Sequence, residues 1–260
     1  MAEIPEMVKI NRIVRENSDT RTFFFGEKME ITPGQFLMVW VPGLGEKPFS
    51  VSYMGEETGI TVFRRGKFTE RLFSMKKGDI IGVRGPYGNG FGIKDNACVV
   101  GGGCGIAPLG PLIEKLDDPL VIIGAKSSDG LIFSKRFAGA KIATDDGSSG
   151  FHGFTTDLLE KVIRNRRFGM VYACGPEIMM KRVFDMCEEN GTECQVSLER
   201  YVKCGFGICG HCDIDGFMIC KDGPVFCSYQ LRQMKSFGSR AKLKSGKKVS
   251  VAEYAGWRCR

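Results

Sequence analysis

The stretch Cys204-Gly-Phe-Gly-Ile-Cys209-Gly-His-Cys212, followed by Cys220 and Cys227, holds the densest chemistry in the sequence. Thiolates spaced C-x4-C-x2-C with a later cysteine suit a [2Fe–2S] cluster, which takes four of them. The intervening glycines let such a loop turn sharply and aim N–H groups at sulfur. A structural zinc ion on two or three of the same cysteines is the alternative. Zinc knuckles favour two separated C-x-x-C pairs, which this segment lacks. In the cluster reading Cys204, Cys209 and Cys212 are three ligands, and spacing leaves the fourth open between Cys220 and Cys227. His211 could ligate iron, but a Rieske-type site needs two histidines on one iron, so it reads as a surface or supporting residue. Cys98, Cys104, Cys187, Cys194 and Cys259 are scattered and read as structural or free thiols.

Other stretches suit nucleotides. Val99 to Leu109 reads V-V-G-G-G-C-G-I-A-P-L, in which Gly101, Gly102, Gly103 and Gly105 follow a strand and open a helix. Such glycines let backbone N–H groups and a helix start approach a pyrophosphate, although an unliganded strand–helix turn has the same pattern. Cys174-Gly175-Pro176 again joins a strand end to a helix. Between them, Asp145 and Asp146 either accept from ribose hydroxyls or form a polar turn. Lys47-Pro48-Phe49-Ser50 offers a cation, an apolar wall and a hydroxyl on one extended strand. Gly66-Lys67-Phe68-Thr69 places Gly and Thr at a helix start, another phosphate-ready site. Taken singly, these two also read as an edge strand and a helix cap.

The elements that must position these residues fall into blocks. Up to about residue 95, short β-branched or apolar runs alternate with breakers: Val8–Val14, Thr22–Phe25, Gln35–Val41, Phe49–Tyr53, Ile60–Phe63 and Ile80–Val83. They predict a small antiparallel barrel over residues 1–95, interrupted by one helix at Thr69–Met75. From 96 to 199, strands at Ala97–Val100, Leu120–Gly124, Lys141–Thr144, Val171–Ala173 and Cys194–Ser197 alternate with helices, most clearly Thr156–Arg164 and Glu177–Asn190. That rhythm predicts a mostly parallel sheet covered by helices. Residues 200–230 form the cysteine segment, too short for its own core. The fold class is therefore α+β and multidomain, with residues 231–260 as a basic extension.

Composition excludes several functions. The chain has 260 residues, 43% hydrophobic, with a net charge of +7 from 37 Lys and Arg against 30 Asp and Glu. Ser228 to Arg260 carries nine of the bases and one acid, so residues 1–227 have 28 bases, 29 acids and a net charge of −1. A basic nucleic-acid-binding body is excluded, and the extension is either a solvated tail or a docking element for a partner. Two histidines leave little room for His-based hydrolases, and 11 cysteines, an odd number, argue against a fully paired disulfide framework. The first residues show no signal-peptide pattern. The weakly polar stretch Ala97–Ile113 is broken by glycines and two prolines, so no membrane span is expected. A reducing cytoplasm is the expected setting.

Together these motifs resemble the ferredoxin reductase superfamily, in which a flavin barrel precedes a nicotinamide domain. In that pattern an R-x-Y/F-S strand holds the isoalloxazine and a G-x-x-S/T helix start holds the FAD pyrophosphate. Lys47 to Ser50 and Gly66 to Thr69 occupy those positions, while GGGxGxAP at 101–108 and CGP at 174–176 match the nicotinamide half. Lys47 replaces the usual Arg, and a point charge does not give a guanidinium's bidentate contact. Within the superfamily the sequence is most similar to electron-transfer subunits of heteromeric, NAD-linked dihydroorotate dehydrogenases. The features in common are D-D-G-S-x-G at 145–150, C-G-x-G-x-C-x-x-C at 204–212 and C-x-D-G-P-V-F at 220–226. The resemblance spans about residues 5 to 230.

The resemblance implies FAD, a [2Fe–2S] cluster and NAD(H), with Cys220 as the fourth iron ligand. It places Phe49 against the flavin ring, Ser50 near flavin N5, and Gly66, Lys67 and Thr69 at the pyrophosphate. Cys174 and Gly175 fall near the reactive edge of the nicotinamide. It further implies an FMN-containing catalytic subunit that oxidises dihydroorotate to orotate, in a tetramer of two subunits of each kind. The gamma-type subunits of cytoplasmic hydrogenases and anaerobic sulfite reductases are the nearest rival. A non-catalytic zinc or nucleic-acid-binding protein with a basic tail is the distant one.

Overall fold

The computed structural model describes residues 4–26 and 29–258, so Cys259 lies outside the described residues. Six strands close the first barrel: β1 (Glu6–Arg15), β2 (Thr20–Phe25), β3 (Phe36–Val41), β4 (Gly45–Met54), β5 (Thr58–Phe63) and β6 (Ile80–Tyr87). Their order is β1-β2-β5-β4-β3-β6, antiparallel throughout. Alternation decides which side chains fill it. Phe23 and Phe25 of β2 join Leu37, Val39, Val51 and Ile60 in the barrel core, while Phe24 between them is also buried but stands outside that cluster. Helix α1 (Lys67–Ser74) contributes Phe68 and Leu72 to the same core.

The second unit is built on β7 (Ala97–Gly102), helix α2 (Ile106–Ile113), β8 (Leu120–Ala125), β9 (Lys141–Thr144) and β10 (Phe151–His152). Helix α3 (Thr155–Ile163), β11 (Met170–Cys174), helix α4 (Glu177–Glu189) and β12 (Cys194–Ser197) follow. Strands β7 to β12 run parallel, and the central β7, β8 and β11 are buried on both faces, as their continuous apolar runs require. Val99, Val121 and Tyr172 pack in the same cluster as α2, and Cys98, Val100, Ile122 and Ala173 in the cluster that holds α3 and α4 residues. All eight residues of α2 are buried. Arg136 ties the units together: its Nη1 donates to the Ser52 carbonyl of β4 at 2.9 Å, its guanidinium lies 3.7 Å over the Tyr53 ring, and its Nε donates to Glu114 at 2.9 Å.

The cysteine segment forms a hairpin of β13 (Asp213–Ile214) and β14 (Phe217–Met218), then β15 (Val225–Cys227). Strand β15 completes the large sheet, pairing antiparallel with β12 through Ser197↔Val225. The basic extension is folded. After helix α5 (Ser228–Leu231), a hairpin of β16 (Arg240–Lys242) and β17 (Lys248–Ser250) leads into helix α6 (Val251–Arg258). Met234, Phe237, Ala241, Val251 and Tyr254 are buried. A solvated tail is therefore corrected to a packed one; five apolar anchors among many lysines leave no periodic pattern to read. The barrel strands occur where expected, all but β3 longer than expected and β3 one residue shorter, and α1 starts two residues earlier.

Candidate functional site

The cysteine loop is held by its own backbone. Burial alone pushes the Cys204 thiol up, but N–H groups of Cys209, Phe206 and Ile208 and the Cys209 thiol converge on the sulfur and bring it down to about 6. Cys212 Sγ lies 3.4 Å from Cys220 Sγ, and Gly207 N donates to Cys220 Sγ at 3.2 Å. Their mutual contact lowers the Cys212 thiol to about 7 and raises that of Cys220. The four cysteines thus fall into two pairs, 204 with 209 and 212 with 220. Among the described residues, no three His, Cys, Asp or Glu side chains are arranged for a single metal ion. Two pairs of sulfurs fed by N–H donors fit a two-iron cluster. Cys227 stands apart on β15, its Sγ 3.4 Å from Gln230 Oε1. His211 Nδ1 lies 3.2 Å from the Cys209 carbonyl oxygen.

The two strand–helix turns lie side by side. Strands β7 and β11 pair with Gly101 opposite Cys174, so α2 and α4 begin at one edge of the sheet. Neither helix start has a side-chain cap, whereas Asp157 accepts from the Phe154 N–H at 2.8 Å at the start of α3. Uncapped starts at the carboxyl ends of adjacent parallel strands fit an anionic nucleotide. Most of the glycines answer to packing within the protein. A Cβ on Gly105 would come 2.2 Å from the Cys174 carbonyl oxygen, and one on Gly102 2.5 Å from Met179 Sδ. Gly103 faces open space with φ +55°. Burial pushes the Cys174 thiol up to about 12 and Cys104 up to about 11, so both stay uncharged at neutral pH. Asp146 accepts from Ser148 Oγ at 2.6 Å and so closes its own turn, while Asp145 is exposed.

On the barrel, Lys47 to Ser50 occupy β4 opposite Val39 to Phe36 of β3. Phe49 and Phe68 stack with centroids 6.1 Å apart, which ties this strand to α1. Gly66 has φ +79° at the start of α1, where no side chain caps the helix. Thr69 Oγ1 donates to the Gly66 carbonyl at 3.0 Å and accepts from Arg65 N at 2.5 Å, which fixes the turn with its first N–H groups open. That cradle fits a pyrophosphate.

The cysteine loop is seated on the barrel. Lys47 Nζ lies 5.7 Å over the Tyr201 ring, and Tyr201 packs edge-on against His211 at 6.0 Å. A Cβ on Gly205 would come 3.1 Å from Met38 Cγ and 3.3 Å from Tyr87 Cδ2, leaving no room for a side chain. Arg84, buried and bonded to both Glu46 oxygens at 2.7 Å, lies 5.8 Å over Phe206. Sequence reasoning missed Tyr201, Arg84 and Met179, because an aromatic, an Arg and a Met carry no motif without their partners.

Residues 199–232 match the iron–sulfur cluster binding domain of dihydroorotate dehydrogenase B. Among solved structures, a chain of the NADH-dependent reduced ferredoxin–NADP oxidoreductase superposes with a TM-score of 0.78 at 30% identity, covering 89% of this chain and 93% of that one. The flavohaem-like FAD/NAD binding domain of a Vibrio cholerae nitric oxide dioxygenase shares the fold at a TM-score of 0.65, 18% identity, 73% of this chain and 95% of that one. Fold and site together define a ferredoxin reductase-like oxidoreductase with an added iron–sulfur segment. The Methanocaldococcus jannaschii protein named probable dihydroorotate dehydrogenase B (NAD(+)), electron transfer subunit, is 42% identical over 257 residues, 95% of this chain and 99% of its own length. A Pyrococcus horikoshii protein of the same name is 44% identical over 233 residues, 87% of this chain and 91% of its own. The chain belongs to this family of electron transfer subunits.

Proposed function

We propose that this chain carries electrons between NAD and a partner subunit that oxidises dihydroorotate to orotate, using FAD and a [2Fe–2S] cluster. Bound FAD exchanges electrons singly or as a hydride, which matches a one-electron cluster to a two-electron nicotinamide. Gly66, Lys67 and Thr69 hold the pyrophosphate of FAD at the start of α1. Phe49 would wall the flavin ring, Ser50 would hydrogen-bond near N5, and Lys47 with Pro48 would shape the strand. Gly101, Gly102, Gly103 and Gly105, with Cys174, Gly175 and Pro176, form the nicotinamide crevice, and uncharged Cys104 and Cys174 keep negative charge out of it. Cys204, Cys209, Cys212 and Cys220 hold the iron. The partner is an FMN-containing catalytic subunit, in a tetramer of two and two in the cytoplasm. No helix among the described residues is long and apolar enough to cross a membrane.

One observation carries this reading: the cysteine loop is packed against the barrel beside the flavin motif, through Tyr201 on Lys47 of β4 and Gly205 on Met38 of the adjacent β3. A purely structural zinc loop has no need of that placement. The test is the purified chain itself. Its absorption spectrum shows flavin and iron–sulfur bands, with two irons and two labile sulfides expected per chain. It reduces ferricyanide with NADH alone, and it oxidises dihydroorotate only with its partner. Dihydroorotate oxidation by the isolated chain, or a colourless protein after reconstitution, overturns the reading. A copurifying nickel–iron or sirohaem subunit transfers the chain to the gamma-type readings.

A further inference from the structure

We infer that Glu177 is a positioning residue for nicotinamide binding, and that the C-terminal extension is the brace that holds it. Glu177 is the first residue of α4 and directly follows Cys174-Gly175-Pro176. Its carboxylate is buried, with 7% of the side chain exposed, and its partner Arg200 is 2% exposed. Oε1 accepts from Arg200 Nη2 at 2.7 Å and from the Gly238 N–H at 2.9 Å, and Oε2 pairs with Arg200 Nη1. Arg200 Nη1 also donates to the Glu199 carbonyl at 2.9 Å, and Nη2 to the Arg240 carbonyl at 3.4 Å. Its guanidinium lies 5.9 Å over the Tyr254 ring of α6. Three segments far apart in sequence therefore meet at one carboxylate: the CGP turn, the exit of β12, and the extension.

A buried ion pair is weak evidence for stability, because desolvation offsets much of its attraction; fixing one arrangement is its better-attested use. What this pair fixes is the first turn of α4. An acid there also meets the positive end of the helix dipole, which favours a single orientation. Met179, two residues on, is wedged between both nucleotide loops. A Cβ on Gly102 would sit 2.5 Å from its Sδ, and one on Gly175 2.9 Å from its Cε. Any shift of the turn is thus transmitted to both loops. The extension crosses the helix closely as well, since a Cβ on Gly238 would lie 2.6 Å from Lys181 Cγ.

This inference rests on the crevice being the nicotinamide site. The test uses the holoprotein with FAD and iron loaded, comparing wild type with Glu177→Gln and with a chain ending at Phe237. Arg232→Ala, which removes the exposed Arg232–Glu188 pair near the far end of α4, is the control. Both test variants raise KM for NADH in ferricyanide reduction about tenfold, with kcat within about twofold, because misplacing a binding turn weakens positioning before chemistry. Calorimetric NAD+ affinity falls in parallel, hydrogen exchange quickens at residues 174–179, and the control changes neither. The truncated chain keeps Arg200 and Glu177, so it decides the case even if Glu177→Gln does not fold. Variants with full FAD and iron that bind NADH like wild type overturn the brace. A wild-type chain that binds no NADH overturns the crevice assignment instead.

Discussion

Cys220 and Cys227 are distinguished by their contacts, which spacing could not supply. Cys220 Sγ lies 3.4 Å from Cys212 Sγ and accepts from the Gly207 N–H, whereas Cys227 turns toward Gln230 at the start of α5. Cys220→Ser is therefore expected to lose the iron–sulfur absorption and most of the bound iron, because three thiolates hold a [2Fe–2S] cluster poorly. Cys227→Ser keeps the full iron content. Iron and labile-sulfide assays on the two purified variants check this, and equal iron in both would remove Cys220 from the ligand set. At this scale the sequence was generous with residue types. The cysteines, the CGP turn and the Lys47 to Ser50 strand were all visible as motifs. Residues that act only through a spatial neighbour were not: Tyr201, Met179 and the Glu177–Arg200 pair are ordinary letters until the chain folds.

Elements show why the glycine loop looks the way it does. Its pattern suggested close approach to a ligand, yet three of its four glycines are required by protein atoms first. Gly105 leaves no space beside the Cys174 carbonyl, Gly102 none beside Met179, and Gly101 none beside Ile106. Only Gly103 faces open space, and its demand is a left-handed backbone. Gly105→Ala should accordingly destabilise the holoprotein by about 1–3 kcal/mol through overpacking between two strand ends. Gly103→Ala should cost about 1 kcal/mol, from φ alone. Urea denaturation of the two variants measures the difference, and equal losses would mean that the turns are free to separate. The strands themselves were legible because barrel and sheet patterns are local. Strand β15 was not, since Val225-Phe226-Cys227 is three residues long and gains its identity from pairing with β12.

At the scale of the whole molecule, the +7 charge has become a surface with a position. Lys242 donates to Asp213 at 2.6 Å, one residue beyond Cys212, which anchors the β16–β17 hairpin beside the cysteine loop. Lys244, Lys247 and Lys248 on that hairpin are exposed, as are Lys203 and Lys221 around the loop. In the loop itself Phe206 is 40% exposed and Ile208 80%. Apolar residues exposed at a redox centre and rimmed by lysines suit a partner that offers an apolar pocket within an acidic border. The two parts should contribute differently. An apolar anchor at an interface centre governs the off-rate, whereas rim charges govern the on-rate and its salt dependence. Ile208→Asp is expected to weaken binding of the catalytic subunit at least about tenfold, mainly by faster dissociation. NADH-driven ferricyanide reduction should be unaffected. Reversing Lys244, Lys247 and Lys248 to Glu should slow association and flatten its dependence on ionic strength, with the off-rate little changed. Surface plasmon resonance at two salt concentrations separates the outcomes. If Ile208→Asp binds as tightly as wild type, the partner docks on another face and the loop's exposed apolar residues have a different use.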